Sequence, residues 1–340
     1  MDQNLFIRPV TERDFEAVLG IAGDTGPGFN SLPDHDAVIK AKIIRSIQSF
    51  NHKIEPNRRL YLFVMENKLT NEVMGTAAIE ASIGHPWPFY KFKLSHFTQV
   101  QPVLKRHQTH DLLHLVSDHD SATELGTLYL KPAHRGEGLG KFLSRTRCLF
   151  MAIFPGLFSE LVVADMRGVS HPGGACPFWD AFGSRFLGVS YEEASYHKAT
   201  EGSQFLIDLL PRYPLYVDFF SDEARQTIGV THELSLPALH ILAKEGFVYR
   251  KYIDVLDGGP TIEAALPEIK TVQNTMVAPV VSLKKEIKSE TKMLIGKTDM
   301  SFRAGVGSIE LTQNGEVILS EKCAELLQVD IGSQVAYCPF

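Results

Sequence analysis

One stretch decides the fold: residues 128–141 read LYLKPAHRGEGLGK, a run of β-forming residues that passes through a glycine-rich turn into a helix. The helix is expected to reach residue 154, with an apolar stripe at i, i+3 and i+4 spacing. Its members are Leu139, Phe142, Leu143, Thr146, Leu149, Phe150 and Ile153. Glycines let successive backbone N–H groups face one point, where the helix N-terminus adds partial positive charge. The stretch therefore predicts a strand, turn and helix that bind a pyrophosphate.

Two other phosphate-binding turns fit these residues poorly. A Walker loop requires Gly-Lys-Ser/Thr after a four-residue gap, and that sequence is absent. A dinucleotide-binding fingerprint has an acidic residue about 20 positions later, whereas Asp165 lies 25 residues after Gly140. A glycine-rich turn without any ligand remains as the structural alternative.

Strand and helix patterns alternate on both sides of this unit. Strands are predicted at 5–8, 60–65, 73–83, 125–130, 161–166 and 247–256, and helices at 11–22, 38–50, 141–154 and 237–245. Residues 26–33 form a loop by composition, and residues 84–122 show no regular pattern. This alternation predicts an α/β (α+β) fold, with a mixed central sheet between helices.

The chain divides by composition into a main domain and a small C-terminal appendage. Residues 1–265 are the predicted main domain, and loops and short helices are inserted at about 168–230. Residues 266–300 contain few large hydrophobes among Lys284, Lys285, Lys288, Lys292 and Lys297, which indicates a linker or surface excursion. Residues 301–340 are predicted to be a small β-rich appendage, because Asn314-Gly315 between strand-like runs is a strong hairpin signal.

Composition excludes several classes of protein. The chain has 340 residues and a net charge of −6, so no basic excess exists to bind nucleic acid. The N-terminus lacks the pattern of a signal peptide, and the longest nearly apolar run, 148–158, is too short to cross a membrane. Four cysteines without CxxC spacing suggest neither disulfides nor zinc. We therefore expect a soluble cytoplasmic protein.

Three histidines have a spacing that resembles a metal site. His107, His110 and His114 would share one face of a helix. No carboxylate or cysteine stands at a matching spacing, so packed or solvated histidines are preferred and no metal is expected.

The glycine turn resembles that of the GCN5-related N-acetyltransferases, which bind the pyrophosphate of coenzyme A with Arg/Gln-x-x-Gly-x-Gly before a helix. The late helix ending at Gly246-Phe247 is similar to theirs. Further motifs resemble the arginine N-succinyltransferase family, colinearly over about residues 5–265. They are Ile7-Arg8-Pro9, Gly26-Pro27-Gly28 with Ser31-Leu32-Pro33, Met166-Arg167-Gly168-Val169, Pro177-Phe178-Trp179, Ile228-Gly229 with His232, and Asp257-Gly258-Gly259-Pro260-Thr261.

This resemblance implies an enzyme that transfers succinyl from succinyl-CoA to the α-amino group of L-arginine, the first step of the arginine succinyltransferase pathway of arginine degradation. Succinyl-CoA is then a co-substrate, and no cofactor is bound permanently. The family includes homo-oligomers and paired homologous subunits, so one of these assemblies is expected.

The resemblance also implies site residues. His232 stands at the family's catalytic histidine, so the resemblance implies that it is the proton donor. The position of the tyrosine that serves many N-acetyltransferases reads Leu242. The pyrophosphate is expected at Arg135, Gly136, Gly138, Gly140 and Lys141, and the pantetheine arm along Leu128, Tyr129 and Leu130.

Substrate charges require complementary partners. Arg167 is the natural cation for the succinyl carboxylate and Asp165 the natural anion for the guanidinium, unless the two pair with each other. Glu124, Asp180 and Glu80 are weaker candidates.

Two departures from the family concern the amine substrate. Cys176 stands where the family usually has Ser, and residues 199–204 replace a usual Gly-Thr-Gly-Gln. An N-acyltransferase for ornithine or another amine or acyl donor is one alternative. A catalytically silent acyl-CoA-binding partner subunit is another, which His232 and the intact glycine turn disfavour.

Overall fold

A computed structural model of the chain describes residues 4–25, 29, 31–171, 173–202, 204–289 and 291–340. Several residues of the sequence motifs lie outside these ranges: Gly26, Pro27, Gly28 and Asn30 of the predicted loop, and Ser203 of the segment that departs from the family.

Sixteen strands form in the described ranges. In chain order they are β1 (Leu5–Pro9), β2 (Leu60–Asn67), β3 (Val73–Glu80), β4 (Lys91–Gln101), β5 (Arg106–Val116), β6 (Thr123–Leu130), β7 (Leu161–Asp165), β8 (Leu215–Tyr216), β9 (Val248–Asp254), β10 (Pro260–Ala265), β11 (Met276–Lys284), β12 (Met293–Lys297), β13 (Ala304–Gly307), β14 (Ile309–Leu311), β15 (Val317–Ser320) and β16 (Gln334–Pro339).

The α-helices of the described chain cover both faces of these strands. They are α1 (Phe15–Thr25), α2 (Asp36–Phe50), α3 (Leu139–Ile153), α4 (Ser184–Leu187), α5 (Tyr191–Glu201), α6 (Gln204–Leu209), α7 (Asp222–Thr227), α8 (Leu236–Glu245), α9 (Lys270–Gln273) and α10 (Glu321–Leu327).

The strands join into one mixed sheet, in the order β14-β15-β11-β16-β12-β13-β1-β2-β3-β6-β7-β10-β9-β4-β5-β8. Most neighbours are antiparallel, whereas β6 with β7 and β11 with β15 are parallel. The predicted class, a mixed sheet flanked by helices, is confirmed.

Helix α3 anchors the core beneath the centre of the sheet. Its predicted stripe is buried, with Phe142, Leu143 and Leu149 fully enclosed among side chains of β2, β3 and β7. The opposite face of the sheet is covered by α1 and α2 through Val18, Ile39 and other apolar residues. The glycine turn is thereby held rigidly at the end of β6.

The segment inserted after β7 has its own apolar core. Phe178 and Trp179 are fully buried against Phe182 and Tyr191, beside the base of β4. Four helices, α4 to α7, surround this cluster, and the predicted helical insertion is confirmed.

The expectation of a linker over residues 266–300 is wrong. Residues 276–284 and 293–297 are strands, and Val280, Leu294 and Ile295 are fully buried. The lysines that suggested a linker lie at the strand ends and in the connection between them. The β-rich C-terminal region therefore begins earlier than predicted, and β13 joins it to the main sheet by pairing with β1.

Residues 84–122 are more regular than their sequence indicates. They contain a long antiparallel hairpin, β4 with β5, in register from Lys91–Val116 to Gln101–Arg106. His107, His110 and His114 lie on β5 and not on a helix, so His107 points to the face opposite the other two. Both faces of the outer hairpin are solvated, which removes the alternation that would have revealed it.

Neither a membrane-spanning helix nor a cluster of metal-binding side chains occurs in the described ranges. No helix there is long and apolar enough to span a membrane. No group of three or more His, Cys, Asp or Glu side chains is arranged to hold a metal ion in that part of the chain.

Candidate active site

The site begins where two parallel strands separate. β6 and β7 pair only at Thr123–Val162 and Glu124–Val163, so among the described strands β6 has no partner on that side from Leu125 onward. Backbone groups along this free edge can pair with an extended ligand, as an added strand would.

A bulge in β6 widens the opening. Thr127 has φ +53°, a left-handed conformation that is rare for a β-branched residue, and the register with β3 shifts at this point. The bulge is held from both sides. Ser31 accepts a hydrogen bond from the Thr127 N–H through Oγ (3.2 Å), and the Thr76 hydroxyl donates to the Thr127 carbonyl (3.0 Å).

Between the separated strands lies a cavity of 310 Å³. Its walls come from α2, β3, β6, the end of β7, α5 and α8. The charged residues among them are Lys42, Glu80, Glu124, Arg147, Asp165, Arg167, Lys198, Asp254 and Asp257, and the apolar ones include Phe29, Leu128, Ala238 and Leu242.

The glycine turn follows β6, whose Leu128 lines this cavity. Gly136, Glu137 and Gly138 have φ +108°, +49° and +80°, and Gly138 is the N-cap of α3. A Cβ at Gly136 would touch nothing, so backbone conformation and not space requires glycine there. The turn is exposed and presents a helix N-terminus, which matches the predicted anion site.

The two cations predicted for the pyrophosphate have other contacts in the structure. The Arg135 Nε donates to the carbonyl of Leu130 (3.1 Å), and its guanidinium lies 5.7 Å from the Tyr129 ring centre. The Lys141 ammonium lies 4.4 Å from the ring centre of Phe340. Arg135 therefore lies beside the free edge of β6, whereas Lys141 turns toward the C-terminus.

His232 is the N-cap of a short 3₁₀ turn that leads into α8. Its Nδ1 accepts a hydrogen bond from the Leu234 N–H (3.1 Å), so the proton of a neutral ring is assigned to Nε2. Burial, and then the charge of Arg167, lower the pKa of this imidazole, and Glu233 and the Ser170 backbone oppose them only in part. His232 is therefore a neutral Nε2–H donor at neutral pH.

Asp165 and Arg167 do not pair with each other, so that alternative is wrong. Asp165 pairs with the buried Lys91 and accepts from the Thr261 hydroxyl (2.6 Å). Arg167 makes no ion pair with any residue that the structure describes. One of its Nη atoms donates to the Ser170 hydroxyl (3.1 Å), and its buried Nε has no partner there.

A tight turn fixes the loop that carries Arg167. The Asp257 carboxylate accepts from the N–H groups of Gly168 (2.8 Å) and Gly259 (2.9 Å). A Cβ at Gly259 would lie 2.1 Å from the Met166 carbonyl, and one at Gly168 2.2 Å from the Asp257 carbonyl. The glycines of both motifs are thus required by close backbone approach.

The weaker sequence candidates separate into two groups. Glu80 and Glu124 line the cavity, whereas Asp180 is exposed on the insertion and does not. Sequence reasoning missed Lys42, Lys91 and Lys198, which line or neutralise this cavity. Local sequence carries no signal for them, because Lys91 pairs with Asp254, 163 positions away, and Lys198 pairs with the same carboxylate.

A strand that separates from its parallel neighbour, a glycine turn before a helix and a histidine before the late helix together define an N-acyltransferase. Comparison with known proteins agrees. The family model described as arginine N-succinyltransferase beta subunit matches residues 5–271. The chain belongs to the arginine N-succinyltransferase family.

Several relatives are similar over most of their length. The arginine N-succinyltransferase of Citrobacter koseri is 37% identical over 277 residues, which are 82% of this chain and 80% of that protein. That of Yersinia pestis is 37% identical over 275 residues, 81% and 79% of the two chains. The structure of arginine/ornithine succinyltransferase subunit AI from Pseudomonas aeruginosa matches with a TM-score of 0.88 and 31% identity, over 98% of both chains. The chain is an acyltransferase.

Proposed function

We propose that this acyltransferase transfers succinyl from succinyl-CoA to the α-amino group of L-arginine, giving N2-succinylarginine and free CoA. The observation that carries the proposal is the cavity at the β6–β7 opening, which is lined by Leu128 of β6 and by Arg167, whose carbonyl accepts a hydrogen bond from the His232 N–H. The family membership and the names of the relatives support the donor and the acceptor.

The donor is assigned to the turn and the free edge of β6. The backbone of Gly136, Gly138, Gly140 and Lys141, with the side chain of Arg135, would hold the pyrophosphate. The pantetheine arm would pair along Leu128, Tyr129 and Leu130. A backbone N–H near Leu128 would then polarise the thioester carbonyl and stabilise the oxyanion.

The amine attacks directly in a ternary complex. Its nitrogen must first be neutral, since an α-amino group is largely protonated at neutral pH. Attack forms the C–N bond and a tetrahedral oxyanion, and its collapse breaks the C–S bond. The sulfur leaves with one proton and the amine nitrogen loses one, so the reaction balances.

We assign His232 to the departing thiolate. Its Nε2–H can donate to the sulfur as the C–S bond breaks, and the proton from the amine then restores the ring. The hydrogen bond from Leu234 to Nδ1 supports this direction, because it leaves the proton on Nε2.

Arg167 is assigned to the free carboxylate of the succinyl group. Its guanidinium lines the cavity and lacks a carboxylate partner in the described chain, so an anionic ligand would satisfy it. The sequence suggests Asp165 as the anion that binds the guanidinium of arginine. Lys91 and Thr261 already occupy its oxygens, so we assign it to pairing with the buried Lys91.

The test is product identification. Purified protein, succinyl-CoA and arginine should give a product heavier than arginine by one succinyl group in mass spectrometry, with the acyl group on the α-nitrogen by NMR. A product acylated elsewhere, or none, would overturn the proposal.

Ornithine is the second acceptor to test, because the Pseudomonas aeruginosa relative is named an arginine/ornithine succinyltransferase subunit. Because that relative is named a subunit, the alternative of a catalytically silent chain that requires a partner must also be tested. A product formed by this chain alone would exclude that alternative, and sedimentation of the same sample would show whether it is a homo-oligomer.

A further inference from the structure

Among the described residues, one carboxylate of the cavity wall has no polar partner for its side chain. Glu124 lines the cavity from β6, where its backbone pairs with β3 and β7, but its side chain makes no hydrogen bond or ion pair to any residue within the described ranges. The other four acidic residues of the cavity wall are all engaged. Glu80 forms an ion pair with Arg45, and Asp165 forms one with Lys91. Asp254 forms ion pairs with Lys91 and Lys198. Asp257 accepts hydrogen bonds from two backbone N–H groups.

The surroundings of Glu124 disfavour the ionised form of its carboxyl group when no cationic ligand is bound. Burial and then the charge of Asp165 raise the pKa of Glu124 to about 7; Glu80, directly opposite on β3, adds to this, and Lys91 and Lys198 oppose it. Lys42 of α2 lines the same cavity without an ion pair to Glu124. A partly buried carboxylate without a partner is expensive, and a cationic ligand would offset that cost.

The position of Glu124 along β6 matches the length of the acceptor. Glu124 lies four residues before Leu128, which is at most about 13 Å at the rise of a strand, because the bulge at Thr127 shortens the path. In arginine, six bonds of about 1.5 Å separate the α-nitrogen from the guanidinium carbon, so the extended molecule reaches about 7 Å. With a hydrogen bond of about 3 Å at either end, arginine spans a comparable length.

We propose that Glu124 binds the guanidinium of the acceptor arginine, at the opposite end of the cavity from the thioester. This inference rests on the proposed function and specifies the substrate end of the same site. The planar guanidinium offers two parallel N–H donors, which a single carboxylate accepts in a bidentate pair. Glu80 and Asp165 stay engaged with the protein's own cations, so Glu124 is the carboxylate left for the substrate.

The experiment is steady-state kinetics of Glu124→Gln and Glu124→Asp beside the wild type. Glu124→Gln keeps the size of the side chain and removes the charge. We expect its KM for arginine to rise roughly 10- to 100-fold, the scale of a lost charged hydrogen bond, while its KM for succinyl-CoA stays within about twofold. Asp180→Asn, which neutralises an exposed carboxylate outside the cavity, should leave both constants unchanged.

Citrulline provides a second readout that a merely structural role would not move. It has the shape of arginine, with a neutral ureido group in place of the guanidinium. The wild type should prefer arginine to citrulline in kcat/KM by at least tenfold, and Glu124→Gln should lose most of that preference.

The outcomes separate the two claims. An active wild type with an unchanged KM for arginine and an unchanged citrulline preference in Glu124→Gln would overturn the role of Glu124 alone. A wild type that releases no CoA with any cationic amino acid would overturn the proposed function, and this inference with it.

Discussion

The backbone N–H of His232 donates a hydrogen bond to the carbonyl oxygen of Arg167, over 2.8 Å. The same Arg167 lowers the pKa of the His232 ring by its charge. The proposed proton donor and the proposed anchor of the succinyl carboxylate are therefore linked twice, by geometry and by electrostatics. Arg167 follows the end of β7 and His232 precedes α8, so this link also closes the cavity between the two elements.

Replacing His232 should remove proton transfer and little else. We expect His232→Gln to lower kcat by 10²- to 10⁴-fold, the usual contribution of general acid–base catalysis, with KM for succinyl-CoA nearly unchanged. A kcat within about threefold of the wild type would contradict the assignment. Thermal unfolding of the variant should confirm that the loop before α8 remains folded.

A side chain at Gly138 should disturb binding of the donor. Its φ of +80° is a conformation that strains any other residue, so a β-branched side chain there would distort the turn. We expect Gly138→Val to raise KM for succinyl-CoA by roughly tenfold or more, with KM for arginine little affected.

Gly156 provides the matched control for this substitution. A Cβ there would meet no atom within 4 Å, and its φ is not positive. Gly156→Ala should therefore leave KM for succinyl-CoA unchanged. Equal KM values for the wild type and Gly138→Val would count against the pyrophosphate site.

Arg167→Met tests how the enzyme selects its donor. Without the guanidinium, kcat/KM for succinyl-CoA should fall roughly 10- to 100-fold, whereas that for acetyl-CoA, which has no free carboxylate, should change much less. The charge of Arg167 also lowers the pKa of His232, so the limb of the pH–rate profile due to His232 should move to higher pH. Equal losses with both donors would show that Arg167 is only structural.

The ionisation of Glu124 should appear in the pH dependence of arginine binding. Its pKa is raised to about 7 in the free enzyme, so below that pH the carboxyl is neutral and attracts the guanidinium weakly. KM for arginine in the wild type should therefore fall as the pH rises through about 7. In Glu124→Gln this dependence should be absent. The same slope in both proteins would assign it to another group.

Glu124 should reduce the stability of the folded protein at pH values at which its carboxyl group is ionised. A folded-state pKa above the unfolded value means that the unfolded chain releases this proton first, so stability falls as the pH rises from about 4.5 to about 7. Glu124→Gln should raise Tm at pH 8 and leave it nearly unchanged at pH 4. If the Tm of Glu124→Gln at pH 8 is equal to or below that of the wild type, the claim that the ionised Glu124 carboxylate destabilises the fold is wrong.

Local sequence was sufficient for the elements that repeat a regular pattern. The glycine turn, α3, α8 and the strands on both sides of α3 all follow from apolar spacing and from glycine at helix ends. The Asn314-Gly315 turn between strand-like runs predicts a hairpin, and β14 and β15 confirm it. Family motifs added His232, which has no distinctive local pattern of its own.

The remaining features depend on contacts between distant residues. The strands within residues 276–297 pair with β13, β15 and β16 further along the chain, so nothing near these residues reveals that they belong to a sheet. Contacts between distant residues also decide which charged side chains of the cavity are paired. Lys91 neutralises Asp165 and Asp254 from β4, which is why Asp165, a natural sequence candidate, is satisfied and Glu124, a weaker one, is not.

The most direct measurement is thiol release, followed with a thiol-reactive dye, from the purified chain given succinyl-CoA or acetyl-CoA with and without arginine. We predict release that requires arginine and is faster with succinyl-CoA. Release that is independent of arginine, or equal for the two donors, would contradict succinyl transfer to arginine. No release with arginine or ornithine would contradict the proposal that this chain is active by itself.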